Sequence, residues 1–249
     1  MRTFGQRGLG HGELWQAWDI SALRDGRLLV MNQRITDVGD ETQIFDIKEF
    51  KNGEEIASHE IANAAIDPKA FPHGFAEGRN GQWFVPDTGR QGLWRFSSTW
   101  RPLGILRKPQ GGGEFKGISA IVRSREELWI VEKYAHQIRR LTLDVKEELR
   151  FGVGGQAPGQ LKFPSSLGVC AGKWVAVADY GNHRIQRFDY DGTFVDGFSP
   201  SRASPHAPTM LMSVVVTEDC QRLFLVDSKG NRVLVTTPRG EILREIKSW

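Results

Sequence analysis

Short apolar runs, each closed by a polar residue, recur along the chain at intervals of about 45 to 55 residues. The closing residues are Asn32, Asp87, Glu132, Asp179 and Asp227. After each one comes a turn and then a second run in which apolar and polar residues alternate. A period of two is typical of strands with one buried face. No segment has a convincing helical period, so the sequence predicts an all-β chain.

Each repeat contains four such runs, which predict four strands in each of five units. Asn52-Gly53, Asp191-Gly192 and Arg239-Gly240 lie between third and fourth runs, where such pairs supply the positive φ of hairpin turns. Four-stranded sheets repeated at this period predict a β-propeller. We expect a single domain over 1–249, with the question of ring closure at five blades left open. The predicted blades span approximately residues 12–61, 69–108, 113–152, 159–199 and 207–249.

The connecting segments also repeat, and the fourth unit carries the fullest version. Phe151-Gly152 leads to Gly159-Gln160-Leu161, then to Val177 and Asp179, and then to Asn182-His183-Arg184-Ile185-Gln186. This layout resembles the NHL repeat family, strongly in this unit and moderately in the others. The resemblance implies a β-propeller, usually of six blades, whereas five are counted here. It also implies a possible RNA-binding face, because some similar NHL domains bind RNA on their top face.

The loops before the first strands and between the second and third strands form that face, called here the top surface. The opposite hairpin loops are called the base. Net charge is only +3, but the predicted top loops are rich in Lys and Arg and the base loops in Asp and Glu. Such a surface attracts anions, although ordinary solvated loop charges would look the same. The residues expected to contact a partner are Arg34, Arg90, Lys133, Tyr134, Tyr180, His183 and Lys229.

The sequence therefore favours a non-catalytic binding or scaffold protein whose top surface meets RNA or an acidic protein surface. Carboxylates at the strand ends fit this interpretation, since they can accept backbone N–H bonds and fix turns. The outer strand of the last blade offers a further edge for pairing with a strand of a partner. A structural subunit of a larger assembly is thus a third possibility.

A lyase or hydrolase at the channel mouth is the alternative. The segment Phe71-Pro72-His73-Gly74-Phe75 resembles a ligand segment of peptidyl-α-hydroxyglycine amidating lyases, and the resemblance implies zinc held by histidines. The equivalent segments of the other units have no histidine, whereas catalytic zinc usually needs three protein ligands. His73 is thus a lone candidate ligand, and we expect no metal and no cofactor.

Cys170 and Cys220 lie at different points of the fourth and fifth repeats, so we expect two buried thiols and no disulfide framework. The N-terminal segment lacks the apolar region of a secretory signal. No apolar run approaches the length of a membrane span. We expect a soluble protein of the cytoplasm or another reducing compartment, with no membrane partner.

Overall fold

The computed structural model describes residues 11, 13–14, 16–23, 25–35, 43–61, 74–200 and 210–247. Within these residues the chain forms twenty strands and two single turns of 3₁₀ helix. The strands assemble into five four-stranded antiparallel sheets, in each of which neighbouring strands follow one another in sequence. These sheets are the blades of a β-propeller, so the predicted all-β fold class with five four-stranded blades is confirmed.

The strand bounds are as follows. Blade 1 comprises β1 (Gln16–Ala22), β2 (Leu28–Ile35), β3 (Gln43–Lys51) and β4 (Glu54–Ile61). Blade 2 comprises β5 (Ala76–Glu77), β6 (Trp83–Asp87), β7 (Gly92–Phe96) and β8 (Pro102–Leu106). Blade 3 comprises β9 (Ile118–Ser124), β10 (Glu127–Glu132), β11 (Gln137–Thr142) and β12 (Glu147–Phe151). Blade 4 comprises β13 (Ser166–Cys170), β14 (Trp174–Asp179), β15 (Arg184–Asp189) and β16 (Phe194–Phe198). Blade 5 comprises β17 (Leu211–Val216), β18 (Leu223–Asp227), β19 (Arg232–Thr236) and β20 (Ile242–Lys247).

The second strand of blades 2 to 5 ends at the predicted polar residue, but blade 1 differs. Its β2 continues past Asn32 to Ile35, which pairs with Gln43 at the start of β3. Asn32 lies inside the ladder opposite Asp46, and its Nδ2 donates to Asp46 Oδ1 at 2.8 Å. The amide therefore satisfies a buried carboxylate and forms no turn, which lets the strand run on.

The chain divides into two compact units, Met1–Arg107 and Lys108–Trp249, each with its own core. In the first unit, blades 1 and 2 share one apolar cluster around Met31, Trp83 and Trp100. In the second unit, one cluster joins blades 3 and 4, and another joins blades 4 and 5. Burial of these side chains is the main driving force for folding. The single domain over 1–249 and its blade bounds stay a prediction.

Hairpin glycines in the second unit receive aromatic rings from the preceding blade. A Cβ at Gly192 would lie 2.6 Å from the ring of Phe151, and a Cβ at Gly240 would lie 2.3 Å from Cγ of Phe198. Both glycines have positive φ, 85° and 90°, so the predicted turn chemistry is present. The same two glycines thus close a hairpin and seat the neighbouring blade.

The expectation of two thiols is wrong, because Cys170 and Cys220 form a disulfide with sulfurs 2.05 Å apart. Cys170 ends β13, and Cys220 lies in the turn between β17 and β18. Both therefore flank the hairpin between the first and second strands, at the base of adjacent blades, where their Cα atoms are 5.5 Å apart. Structural disulfides belong mostly to oxidising compartments, so the predicted reducing compartment loses one of its supports.

In the part of the chain that the structure describes, no helix has the length and apolar composition needed to cross a bilayer.

Candidate binding surface

Asp179 shows what the repeated strand-end carboxylates do. It is fully buried and accepts hydrogen bonds from the Lys162 backbone N–H at 2.6 Å and from Arg184 Nε at 2.8 Å. Lys162 binds Oδ1, whereas Arg184 shares Oδ2 with Asn182 Nδ2 and Gln186 Nε2, which donate at 2.8 and 3.0 Å. The carboxylate thus ties the loop before the first strand to the loop after the second, which is the predicted structural role.

Asp227 repeats this arrangement in blade 5. It accepts from the backbone N–H groups of Met210 at 2.9 Å and Gly230 at 3.1 Å, and from Arg232 Nε at 2.9 Å. Burial acts to raise the pKa of Asp227, but these hydrogen bonds outweigh it and hold the pKa below its usual value. A carboxylate held ionised in this way is saturated with donors and serves the fold.

Blade 3 uses a buried ion pair that sequence reasoning missed. Arg139 is 1% exposed and donates to Glu132 from Nε at 2.6 Å and from Nη2 at 3.1 Å. Its Nη1 donates to Glu147 Oε2 and to the Gly113 carbonyl, both at 2.8 Å, and Nη2 reaches the Glu114 carbonyl at 2.9 Å. One guanidinium therefore holds the loop before β9, the end of β10 and the start of β12 together.

Lysines of the top surface behave differently from these saturated groups. We call Lys116, Lys133, Lys162 and Lys229 the top lysines; they lie in the loops of blades 3, 4 and 5 and are exposed or half-buried. Within the described residues none of the four forms an ion pair. No carboxylate in this part of the chain therefore neutralises their positive charges.

Aromatic rings accompany these charges. Lys133 Nζ lies 5.7 Å from the centroid of the Tyr180 ring, a cation–π contact that crosses from blade 3 to blade 4. Tyr134 is 54% exposed, and its ring covers Gly117, where a Cβ would lie 2.1 Å from Tyr134 Cδ2. Gly117 has a φ of 65°, which favours glycine for a second reason. The ring is thus positioned by its own blade yet open to a partner.

Four predicted contact residues remain: His183, Lys229, Arg34 and Arg90. His183, exposed and in the left-handed region with a φ of 55°, follows Tyr180 in the same turn and accepts from Ser199 Oγ through its carbonyl at 2.9 Å. Lys229 lies in the turn between β18 and β19 of the same unit. The backbone of Arg34 pairs with Ile44 in the β2–β3 ladder, and its side chain lies outside the described residues.

Arg90 belongs to the first unit. Its backbone N–H donates to Asp87 Oδ1 at 2.8 Å, and its guanidinium carbon lies 5.7 Å from the Trp94 ring. The Arg90 carbonyl accepts from Arg107 Nη1 at 2.7 Å. This residue is therefore built into the turn of blade 2. The structure brings Lys133, Tyr134 and Tyr180 together in the second unit.

The candidate zinc ligand His73 lies outside the described residues. Among the residues that are described, no group of three or more His, Cys, Asp or Glu side chains is placed to hold a metal ion. The strand-end carboxylates are already occupied by backbone and guanidinium donors, as described above.

Known structures similar to this chain identify its fold. Solved structures similar to this chain are β-propellers of low sequence identity, which shows the fold alone. One is a catalytically inactive virginiamycin B lyase from Staphylococcus aureus, crystallised with quinupristin. The aligned region covers 93% of this chain and 70% of the lyase chain, with 15% identity and a TM-score of 0.62. A streptogramin B lyase covers 94% and 83% at 13% identity and a TM-score of 0.62.

A gluconolactonase from Xanthomonas campestris covers 90% of this chain and 80% of its own, with 15% identity and a TM-score of 0.59. No family model matches the chain, and no curated protein matches it. The fold is therefore that of a β-propeller, and the finer resemblance to NHL repeats belongs to the proposal that follows.

Proposed function

We propose that this chain is a non-catalytic β-propeller of NHL type that binds an anionic macromolecule, single-stranded RNA, through the top surface of its second unit. The observation that carries the proposal is the combination of Lys133, Tyr134 and Tyr180. A lysine without an ion pair in the described structure contacts one tyrosine, and the next residue along the chain is an exposed tyrosine.

Phosphate groups and unpaired bases fit this combination of side chains. Each lysine that neutralises a phosphate releases condensed counterions, which makes affinity fall steeply with salt. A tyrosine ring stacks on a base with about 1–3 kcal/mol, with little dependence on sequence. An acidic protein surface would use the lysines but gain less from the rings. The resemblance to NHL repeats supports the same surface.

Filter binding of a short oligouridylate at about 50 mM and about 200 mM salt tests the proposal. We expect Lys133→Glu with Lys162→Glu to weaken binding by more than about tenfold, because both charges meet phosphate. Lys146→Glu with Lys173→Glu is the matched control. Those two exposed lysines of the base also lack ion pairs among the described residues, but no aromatic ring contacts them.

If the two double variants lost RNA affinity equally, net charge alone would explain the effect. That result would contradict the assignment of binding to the top surface. Absence of binding at the lower salt concentration would remove the RNA form. A poly-glutamate peptide titrated in parallel then decides between RNA and an acidic protein surface, because it carries the charge without bases.

An enzyme at the channel mouth is the second candidate, and the names of the structural neighbours favour it. Quinupristin and gluconolactone, taken from those names, are the substrates to screen, with and without added zinc or magnesium. Metal-dependent turnover that His73→Ala abolishes would support the enzyme and displace the binding proposal. Undetectable turnover and no copurifying metal would count against it.

Strand pairing at the edge of blade 5 is a further proposal for partner contact. β20 is the last strand of its sheet, and Leu243 and Ile246 on it are 50% and 36% exposed. An exposed edge can accept a partner's strand through main-chain hydrogen bonds. A solution mass equal to one 28.0 kDa chain at all concentrations would argue against pairing between copies.

A further inference from the structure

At the start of blades 3 and 4, a lysine backbone N–H donates to the strand-end carboxylate, and the residue after that lysine has a left-handed backbone. Lys116 N–H donates to Glu132 and Lys162 N–H to Asp179, so the next residues, Gly117 and Phe163, occupy equivalent positions. Their φ angles are 65° and 47°. Blade 3 thus uses the residue that tolerates this conformation, whereas blade 4 uses a bulky aromatic one.

Burial offsets this strain only in part, because Phe163 is 39% exposed. A bulky residue with a left-handed backbone persists only where surrounding contacts enforce it, and such residues concentrate at functional sites. Glycine at this position would fold with less strain but would present no ring. The exposed ring beside Lys162 is therefore what the strain maintains.

His136 is the contact that enforces it. The Phe163 backbone N–H donates to His136 Nδ1 at 3.0 Å, and the two rings meet edge to face with centroids 4.8 Å apart. Nδ1 can accept this bond only in the neutral imidazole that carries its proton on Nε2. Gly154 lies behind the imidazole, because a Cβ there would be 3.0 Å from His136 Cδ2.

We infer that Phe163 is a contact residue of the top surface, that His136 is its positioning residue, and that protonation of His136 at Nδ1 releases the ring and weakens binding. The contact role rests on the proposed function. A protonated imidazole has donors at both nitrogens, so Nδ1–H would face the Phe163 N–H and the bond would be lost.

Few other charges face His136. The turn of residues 152–155, packed against the imidazole, has no titratable side chain, and the segment that carries Phe163 offers only Lys162. In the described structure no carboxylate lies within ion-pair distance of His136. Nothing described here compensates the charge that protonation would create, so the local effect of acid is loss of the hydrogen bond.

The sign of the pH dependence distinguishes this device from an ordinary basic surface. Histidines that gain charge in acid make a basic surface hold anions more tightly. The His136 clamp predicts the opposite, weaker binding in acid. Oligouridylate is a suitable probe because its phosphodiesters keep their charge across the histidine range. We expect its affinity to fall about fivefold or more between about pH 8 and about pH 5.

His136→Asn is the decisive variant. Asparagine Oδ1 can accept the same backbone bond without titrating, and Asn231 already occupies the equivalent turn position of blade 5 with a φ of 47°. We expect the affinity of this variant not to fall between about pH 8 and about pH 5, whereas that of the wild type falls. Phe163→Gly should weaken binding about fivefold, because the ring available for stacking is lost. Tighter wild-type binding in acid would overturn the clamp.

Amide hydrogen exchange of the protein without RNA decides the clamp independently. After correction for intrinsic rates, protection of the Phe163 amide should fall on acidification, whereas Leu161, bonded to the Val153 carbonyl at 2.9 Å, should not change. Unchanged Phe163 protection overturns the clamp. Lost protection without RNA binding at either pH leaves the clamp standing and refutes the contact role together with the RNA proposal.

Discussion

Two regions of blades 3 and 4 treat positive charge in opposite ways. At the base, Arg140 Nε lies 3.6 Å from Glu127 and 3.5 Å from Glu148. The guanidinium also lies 5.6 Å from the Trp129 ring and 5.2 Å from the Tyr190 ring. Burial and a hydrogen bond to Glu127 raise the pKa of Tyr190, which keeps its hydroxyl a donor.

At the top, Lys133 lies against the Tyr180 ring and has no ion pair among the described residues, and the adjacent Tyr134 is 54% exposed. The arginine cluster at the base joins two blades through ion pairs and ring contacts, although Arg140 Nε itself makes no hydrogen bond. At the top, by contrast, the Lys133 charge and the exposed Tyr134 ring are both accessible to a partner. Among the described residues the two regions thus differ in whether a positive charge has an ion-pair partner, a difference that the net charge of +3 does not reveal.

The largest expected effect on stability comes from removing a buried, fully paired cation. Arg139→Met leaves Glu132 buried without its cation, so we expect the free energy of unfolding to fall by about 3–5 kcal/mol. Arg150→Met is the matched control, because Arg150 lies 3.4 Å from the same Glu147 but is 48% exposed, and its loss should cost about 0–1 kcal/mol. Urea unfolding measures both. Similar losses for the two variants would contradict the distinction.

The disulfide carries the next largest effect. It ties the bases of blades 4 and 5 over a separation of 50 residues, so Cys170→Ala with Cys220→Ala should cost about 2–4 kcal/mol of unfolding free energy. Oligouridylate affinity should not change, because the top surface is at the other end of the blades. A reductant should destabilise the wild type and leave the double variant unaffected. Equal stability of wild type and variant would mean that the bond constrains nothing.

Asp19 gives a smaller effect that depends on pH. Burial raises its pKa from 3.8 to about 6, against a weaker opposing hydrogen bond from the Ile20 backbone. The folded state therefore holds this proton more tightly than the unfolded state. Stability from this group is complete below about pH 3.8 and declines as the pH rises to about 6, by at most about 3 kcal/mol.

Asp19→Asn should remove that decline, so the variant should exceed the wild type by about 1–3 kcal/mol at neutral pH and lose the advantage in acid. Thermal or urea unfolding across this range is the measurement. A variant that is less stable than the wild type at neutral pH would show that the carboxylate has a favourable partner. Asp19 contrasts with the paired strand-end carboxylates, because it has no ion pair among the described residues.

Local pattern predicted much of the fold. Period-two alternation and turn residues placed the start of β7 at Gly92 and the end of β18 at Asp227, because both features depend on neighbours in sequence. The disulfide was missed because Cys170 and Cys220 meet only through stacking of adjacent blades. A closer reading of the hairpins could have found it, since both cysteines flank the same turn of their repeats.

The candidate surface was predictable in position but not in state. Lys133 and Tyr180 follow strand-end carboxylates, which places them in top loops from the repeat alone. Whether a lysine has a counter-ion depends on side-chain geometry that no repeat encodes. Arg139 illustrates the same limit. An arginine in an alternating run is expected to be exposed, whereas this one is fully buried. The left-handed backbone of Phe163 gave no sequence signal at all.

The covalent tie between Cys170 and Cys220 has a mechanical consequence. A pulling force applied to the two chain ends would bypass the 50-residue stretch between the sulfurs, which contains most of blade 4. That stretch would add roughly 170 Å to the extended contour of the reduced chain and almost nothing to the oxidised one. The turn of blade 4 that carries Tyr180 and His183 is thus shielded from tension between the chain ends as long as the disulfide is intact.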